Sequence, residues 1–223
     1  MAQRQTSYGK CSLCGTMLAK AAMSSHLKSC RRKAAGAETP PKTGKRQKVF
    51  HLVVEGRYAS AYWMHLEIPA DATLATLDRF LRDIWLECCG HLSEFQIEGR
   101  RFSVEPMDYD DGFLDEKLQD VLEPGVKFEY TYDFGSSTYL RLRVAAEIES
   151  TLKRDEVRVL ARNEPPVIPC DECGKPATQV CTVCMYAGEG WLCDECAARH
   201  DCDDPMFLPV VNSPRVGVCG YAG

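Results

Sequence analysis

The spacing of cysteine and histidine residues constrains the fold of this chain more than any other feature. Four Cys-x2-Cys pairs occur, one near the amino terminus and three between residues 170 and 196. Each pair can direct two thiolates at one metal ion, and a tetrahedral site needs four ligands. The first residues do not resemble a secretory signal, which favours metal sites over disulfides. We therefore expect three structural zinc ions per chain in a cytoplasmic protein.

The amino-terminal pair has the ligand spacing of a small zinc finger. Cys11 and Cys14 are followed, after eleven residues, by His26 and then Cys30. A helix over residues 19–30 places His26 and Cys30 on one face, because positions four apart lie one above the other. These four residues are predicted to bind one zinc ion.

The carboxy-terminal third carries eight further candidate ligands, enough for two zinc ions. They are Cys170, Cys173, Cys181, Cys184, Cys193, Cys196, His200 and Cys202. If the pairs interleave, the first and third pairs bind one ion, and the second pair binds the other with His200 and Cys202. A sequential division remains open. Interleaving is favoured because the arrangement resembles the cross-braced B-box and AN1-type fingers, although the spacing matches neither family fully. Four protein ligands leave no position for water, so these ions are expected to be structural.

Charge is distributed very unevenly along the chain. Residues 1–48 contain eleven Lys and Arg and the single acid Glu38, a net charge of +10. Residues 49–223 carry 16 basic and 31 acidic side chains, a net charge of −15. A basic segment on an acidic body suggests contact with a polyanion, although a solvated tail has the same composition. No run approaches the roughly 20 apolar residues of a membrane span, so no membrane partner is expected.

The middle of the chain has the pattern of an α+β domain. Two β-rich runs precede an amphipathic helix that begins near Leu74, and further β-hairpins follow, which predicts a central sheet with one packed helix. Cys88 and Cys89 are expected to be helix residues and not ligands, and residues 147–163 are expected to be helical. Cys219 has no evident ligand partner nearby and is expected to be a buried or idle thiol and not a catalytic one.

These patterns divide the chain into five segments. They are a C2HC-type zinc finger (1–33), a basic flexible linker (34–48), an α+β domain (49–163), a two-zinc module (164–204) and an apolar tail (205–223). The tail, which is almost uncharged, is expected to dock on a surface.

Four segments in register resemble the plasmid pRiA4b Orf-three family. They are YWMHLEIPADATL (62–74), HLSEFQI (91–97), LQDVLEPG (118–125) and FEYTYDFG (128–135). The resemblance covers about the central hundred residues and implies a compact α+β domain, but no established activity. Some relatives look like passengers of mobile elements, so a link to mobile elements is an expectation. Family members usually continue with further acids and a tryptophan, whereas SSTYL (136–140) stands here.

Nucleic-acid association is the function we expect from the basic amino-terminal region. The expected phosphate contacts are Lys20, Lys28, Arg31, Arg32 and Lys33. The base-facing positions of a DNA-reading finger helix would fall on Ala19, Ala22 and Ser25, which offer little hydrogen bonding to base edges. We therefore predict binding to the backbone with weak sequence preference.

Two alternative functions remain open from the sequence. Zinc modules also bind proteins, so the carboxy-terminal module could serve a protein–protein adaptor. An enzyme is the less favoured alternative, because its candidate acid and base groups form no recognisable set. These groups are His91, Glu94, Asp108, Asp110 and Asp111.

Overall fold

The computed structural model describes residues 6–37, 46–106 and 108–223. Its largest element is a mixed sheet of ten strands. Its strands are β1 (Tyr8–Cys11), β2 (Met17–Ala19), β3 (Gln47–Gly56), β4 (Trp63–Pro69), β5 (Ser93–Ile97), β6 (Arg100–Ser103), β7 (Gly112–Phe113), β8 (Lys127–Tyr132), β9 (Thr138–Ser150) and β10 (Arg158–Asn163). Their order across the sheet is β2-β1-β10-β4-β3-β9-β8-β5-β6-β7. Neighbouring strands are antiparallel except β6 and β7, which are parallel.

Helices and a second, smaller sheet complete the described structure. The helices are α1 (Lys20–Ala37), α2 (Leu74–Leu81), α3 (Leu118–Val121) and α4 (Asp194–Ala197), with a π-helical turn after α2 (Arg82–Leu86) and a 3-10 turn (Cys184–Ala187). The second sheet contains β11 (Gln179–Cys181), β12 (Trp191–Leu192) and β13 (Phe207–Pro209). None of the described helices has both the length and the apolar character that a bilayer crossing requires. The fold is α+β.

The main core lies between α2 and one face of the large sheet. Thr73 caps α2 by accepting a hydrogen bond from the backbone N–H of Thr76, at 3.2 Å. The apolar face of α2 is fully buried at Leu74, Leu77 and Leu81, as its helical spacing predicts. Alternate residues of β3, β4 and β9 supply the other side of this core.

A second core lies on the opposite face, where the amino-terminal module packs against the sheet. Met23 and Leu27 of α1 are buried together with Trp63 of β4. Strand β1 pairs with β10, so the module extends the sheet. Gly9 makes this possible, because a Cβ atom there would lie 2.6 Å from the Trp63 ring. The finger is therefore continuous with the central domain.

Several predicted boundaries differ from the structure. Helix α1 continues to Ala37, four residues into the predicted linker 34–48, which is consistent with the alanine content of this stretch. Residues 38–45 of that linker lie outside the described residues. The predicted helix over 147–163 is wrong, because it covers the end of β9 and all of β10. Both strands pair with β-strand neighbours, and these tertiary partners override the local helical tendency.

The carboxy-terminal tail packs against the main domain. Ser213 and Arg215 are almost completely buried, and the hydroxyl of Ser213 donates a hydrogen bond of 2.6 Å to the backbone carbonyl of Trp85. Val216 joins the main hydrophobic core. The tail thus connects the small sheet to the end of the helical segment that follows α2.

Candidate metal centres and their surroundings

The four predicted ligands of the amino-terminal finger converge in the structure. Cys11 is the last residue of β1, Cys14 lies in the β1–β2 turn, and α1 carries His26 and Cys30. Their ligand atoms all lie within 4.8 Å of one another, with 3.4 Å between the Cys14 Sγ and His26 Nε2 atoms. Gly15 closes the turn at a φ of +74°, and its N–H donates to the Cys11 carbonyl at 2.8 Å. The turn and the helix together form a site that could hold a metal ion.

Neighbouring polar groups favour the thiolate form of Cys14, whereas burial raises the pKa of the Cys30 thiol to about 11. Hydrogen bonds with the side chain and the backbone of Thr16 lower the pKa of the Cys14 thiol to about 6. The thiolate is therefore populated at neutral pH. Since metals bind the thiolate and not the thiol, this environment suits a metal ligand.

The first carboxy-terminal cluster joins two cysteine pairs that are separated in the chain. Cys170 and Cys173 lie beside Cys193 and Cys196, with all four sulfur atoms within 4.8 Å of one another. The Cys173 and Cys193 sulfur atoms are 3.6 Å apart. Strand β12 ends just before Cys193 and presents the second pair next to the first.

The second carboxy-terminal cluster contains the Cys-x2-Cys pair that lies between the other two in the sequence. Cys181 and Cys184 meet His200 and Cys202, again with their ligand atoms within 4.8 Å. The Cys181 and Cys202 sulfur atoms are 3.9 Å apart, and the Cys184 Sγ atom lies 3.4 Å from His200 Nε2. The two clusters interleave along the chain, as the favoured assignment predicted.

The geometry of all three clusters fits a tetrahedral metal ion. With a zinc–sulfur bond of about 2.3 Å, the edges of a tetrahedral site are roughly 3.8 Å between sulfurs and roughly 3.5 Å between sulfur and nitrogen. The edges given above run from 3.4 to 3.9 Å. Cysteine and histidine donors without a carboxylate are typical of zinc. The residues present therefore fit zinc ions.

A fourth cluster was missed by the sequence analysis. The ligand atoms of Cys88, Cys89, His91 and Cys219 also lie within 4.8 Å of one another. The expectation that Cys88 and Cys89 are helix residues is wrong, because the π-helical turn ends at Leu86. The expectation that Cys219 has no partner nearby is also wrong. The available signal was that these cysteines remain after the other three sites are filled.

The predicted phosphate contacts lie in different environments. Lys20 forms an ion pair with Glu55 and donates to the Ser60 carbonyl at 2.9 Å. The Arg31 Nε atom lies 3.0 Å from Glu67, and both side chains are mostly buried. Lys28 is exposed on α1. Arg32 and Lys33 belong to the helical backbone of α1, and their side chains lie outside the described structure.

The predicted base-facing positions are only partly available on the surface. Ala22 and Ser25 are exposed, and the Ser25 hydroxyl donates to the Ala22 carbonyl at 2.9 Å. Ala19 is half-buried at the end of β2. Because α1 packs against the sheet along its Met23 and Leu27 face, only its outward face can meet a partner.

A groove runs between α1 and the part of the sheet that α1 leaves uncovered. Its volume is about 640 Å³. The charged side chains that line it are Lys20, Glu55, Lys127, Glu129, Arg141 and Arg143. Lys20 pairs with Glu55, and Glu129 pairs with Arg57. Within the described part of the chain, Lys127, Arg141 and Arg143 form no ion pair with an acidic side chain. We call this space the basic groove.

Two buried histidines lie at the base of this region. The His51 Nε2 atom is 2.9 Å from His65 Nδ1. Burial lowers the pKa of His65 to about 4, and the positive charges of Arg31 and Arg143 lower it further. The same causes, led by burial, lower the pKa of His51 to about 2. The neutral histidines therefore lie in a region of positive potential.

The candidate acid and base residues are not brought together as one set. Asp108 and Asp111 both contact Arg101, and Asp110 is exposed on the same loop. Burial raises the pKa of Glu94 on β5. His91 belongs instead to the fourth cysteine cluster.

Comparison with known proteins identifies the central region. A family model described as "Plasmid pRiA4b ORF-3-like protein" matches residues 50–178, which confirms the resemblance of the central segments. Among solved structures, the chain is similar to a protein of unknown function, MM3350, from Methanosarcina mazei Go1. That similarity has a TM-score of 0.45 at 19% identity and covers 58% of this chain and 75% of the other. No curated protein matches the chain.

Proposed function

This chain belongs to the plasmid pRiA4b ORF-3-like family, and we propose that it is a zinc-stabilised protein that binds nucleic-acid phosphates. Three structural zinc ions stabilise the folds of the amino-terminal finger and the carboxy-terminal module. The basic groove, together with the basic residues of the amino-terminal region, contacts the phosphate backbone. The proposed role is binding and not catalysis.

The proposal of structural zinc rests on ligand type and geometry. Two clusters offer three thiolates and one histidine, and one offers four thiolates. With Zn²⁺ bound, the former carry a charge of about −1 each and the latter about −2. Four protein ligands complete the coordination, so the ions stabilise the modules and do not activate water.

The observation that carries the nucleic-acid proposal is the set of unpaired cations in the basic groove. Arg141 and Arg143 alternate along β9 with the buried Leu140 and Leu142, so both guanidinium groups project from the same uncovered sheet face. Lys127 of the neighbouring β8 joins them. Glu55 and Glu129 flank Arg141 on the neighbouring strands, but they form ion pairs with Lys20 and Arg57. The cations left without an ion pair attract a polyanion more strongly than cations that are already neutralised.

The surroundings of the groove also support this assignment. The depressed pKa of His65, which lines the groove, reflects burial and the positive charge of Arg31 and Arg143. By contrast, the pairing of Lys20 with Glu55 and of Arg31 with Glu67 makes these two residues weaker phosphate contacts than the sequence suggested. Lys28 is exposed on the helix that forms one wall of the groove.

The test is fluorescence anisotropy of labelled single-stranded and duplex DNA and RNA with the zinc-loaded full chain. The double variant Arg141→Gln/Arg143→Gln is expected to bind on the order of tenfold more weakly. The matched control Arg79→Gln/Lys117→Gln removes two exposed cations outside the groove and is expected to bind like the wild type. Absence of binding by the wild type, or an equal loss in the control, would overturn the proposal.

A second candidate function is a protein–protein adaptor, which the surface of the carboxy-terminal module favours. Tyr186 is 78% exposed, and Met206, which follows the aspartates at 201, 203 and 204 in the sequence, is 57% exposed. Exposed apolar side chains beside acids suit a basic protein segment better than a nucleic acid. Recovery of one protein partner without nucleic acid, lost on Tyr186→Ser, would favour this function.

A further inference from the structure

We propose that Cys88, Cys89, His91 and Cys219 form a fourth zinc site, which fastens the carboxy-terminal tail to the central sheet domain. The site draws three ligands from the segment after the π-helical turn and one from the tail, 128 residues after His91. It lies apart from the basic groove and from the three sites described above. None of its four residues lines the basic groove.

The sulfur–sulfur distances of this cluster match the edges of a tetrahedral site, and its sulfur–nitrogen distances are somewhat shorter. The Cys89 sulfur lies 3.6 Å from the Cys88 sulfur and 3.9 Å from the Cys219 sulfur. The His91 Nε2 atom lies 3.0 Å from the Cys89 sulfur and 3.3 Å from the Cys219 sulfur. A zinc ion with three sulfur ligands and one nitrogen ligand needs edges of roughly 3.8 and 3.5 Å. A bound ion would require only a small expansion around His91.

The fourth cluster contains three cysteines and one histidine, like the amino-terminal cluster and the second carboxy-terminal cluster. Its sulfur–sulfur edges of 3.6 and 3.9 Å equal those at the two carboxy-terminal clusters. With it included, all 13 cysteines of the chain belong to a four-ligand cluster. Thiols that share no metal ion need not converge in this way, whereas the ligands of one ion must lie close together.

A buried cation next to the cluster suits a site with surplus negative charge. Three thiolates and a neutral histidine around Zn²⁺ leave a net charge of about −1. The guanidinium of Arg215, fully buried, donates to the Cys88 sulfur at 3.4 Å and to Asp133 at 2.8 Å. It also donates to the Thr138 hydroxyl at 3.0 Å. Arg215 thus donates to a ligand sulfur, as outer partners do at metal sites, while its charge is shared with Asp133.

The backbone around Cys219 has an unusual conformation that presents the thiol to the other ligands. Cys219 has a φ of +49°, in the left-handed region that residues with a side chain rarely adopt. Gly217 and Gly220 on either side also have positive φ values, of +79° and +73°. Such a conformation persists only where surrounding interactions hold it, and a metal bond would provide one.

The site has a clear structural consequence for the tail. Ser213 already bonds to the Trp85 carbonyl and Arg215 to Asp133, and a zinc ion at Cys219 would add a further attachment four residues after Arg215. Cys89 and Cys219 are exposed and Cys88 is half-buried, whereas each of the other three clusters contains at least one buried cysteine. A chelator should therefore remove this ion before the other three.

The test counts metal ions on the full chain. Native mass spectrometry of the zinc-loaded wild type is expected to show four zinc ions per chain. Cys219→Ser and His91→Asn are each expected to show three and to remain folded, since the other sites are intact. The matched control Val218→Ala changes the neighbouring residue and is expected to retain four.

Cobalt substitution and proteolysis give independent measurements. The cobalt-loaded wild type should have four equivalents of tetrahedral thiolate-bound cobalt, and Cys219→Ser should have three. Limited proteolysis should cut the tail after residue 205 at least tenfold faster in Cys219→Ser than in Val218→Ala. The proposal is overturned by three ions on the wild type, by four on Cys219→Ser, or by a Cys89–Cys219 disulfide in the zinc-loaded reduced protein. If the wild type instead binds zinc at this site and not at the other three, the proposed function is contradicted and the fourth site is not.

Discussion

The Arg31 Nε atom lies 3.0 Å from Glu67 Oε1, and this ion pair joins the helix of the amino-terminal finger to a central strand of the sheet. The Glu67 side chain is 5% exposed and that of Arg31 is 16% exposed. Arg158 approaches the other carboxylate oxygen of Glu67, at 3.6 Å. The finger therefore contacts the sheet through charge as well as through the core around Trp63.

Removal of the Glu67 charge should destabilise the protein markedly. Glu67→Gln leaves the mostly buried Arg31 without a counter-charge, which should lower the free energy of unfolding by about 2 to 4 kcal/mol. Glu147→Gln is the matched control, since its partner Lys48 is exposed, and it should cost less than about 1 kcal/mol. Urea denaturation of both zinc-loaded variants measures the difference, and equal effects would argue against a buried pair.

The His51–His65 pair predicts a loss of stability in mild acid. Both pKa values are lower in the folded chain, at about 2 and about 4, than the ordinary value of 6.5. The unfolded chain therefore binds more protons below pH 6.5, and stability falls as the pH decreases from 6.5 towards 4. Between pH 7.5 and 5.5 the two histidines should account for a loss of about 2 to 3 kcal/mol.

The variant His51→Gln/His65→Gln isolates this contribution. It does not titrate in the same range, so its free energy of unfolding should change less with pH than that of the wild type. Denaturation at several pH values, with zinc content measured alongside, separates histidine protonation from metal release. An unchanged pH dependence at constant zinc content would refute the prediction.

Loss of the amino-terminal zinc should be visible at Trp63. Cys30→Ser should remove one zinc ion, because serine is a poor replacement for a thiolate ligand. Cys30, Met23 and Leu27 share a core with the Trp63 ring. When this core loosens, Trp63 becomes more exposed to water, and tryptophan emission should shift to longer wavelengths. Ser29→Ala, at the adjacent helical position, should retain the metal and the emission. A variant that lost zinc with unchanged emission would show that the core does not depend on the ion.

Local ligand spacing made three of the metal clusters predictable. Cys11 with Cys14, and His26 with Cys30, are each brought together by a single turn or helix. The fourth cluster could not be predicted in this way, because Cys219 meets His91 only after the whole domain has folded. In addition, the π-helical turn ends the helical pattern before Cys88, which periodicity alone does not reveal.

Local sequence spacing also could not predict how the finger docks on the sheet or which cations form ion pairs. The pairing of Gly9 with Asn163 joins residues more than 150 positions apart, so the finger was predicted as a separate unit. Lys20 and Arg31 looked available in the sequence because Glu55 and Glu67 lie on strands that only the fold brings near. Sequence patterns therefore predicted three of the four candidate ligand clusters and the α+β class, but not which charged side chains form ion pairs.

The salt dependence of nucleic-acid binding tests the central claim most directly. Each phosphate contact on duplex DNA contributes about −0.9 to the slope of log affinity against log salt, measured between about 50 and 200 mM. The zinc-loaded full chain should therefore show a slope steeper by about 2 than the variant that lacks the cations of Arg141 and Arg143. Identical slopes for the two proteins, or no binding by the wild type at the lowest salt, would contradict a phosphate-binding groove.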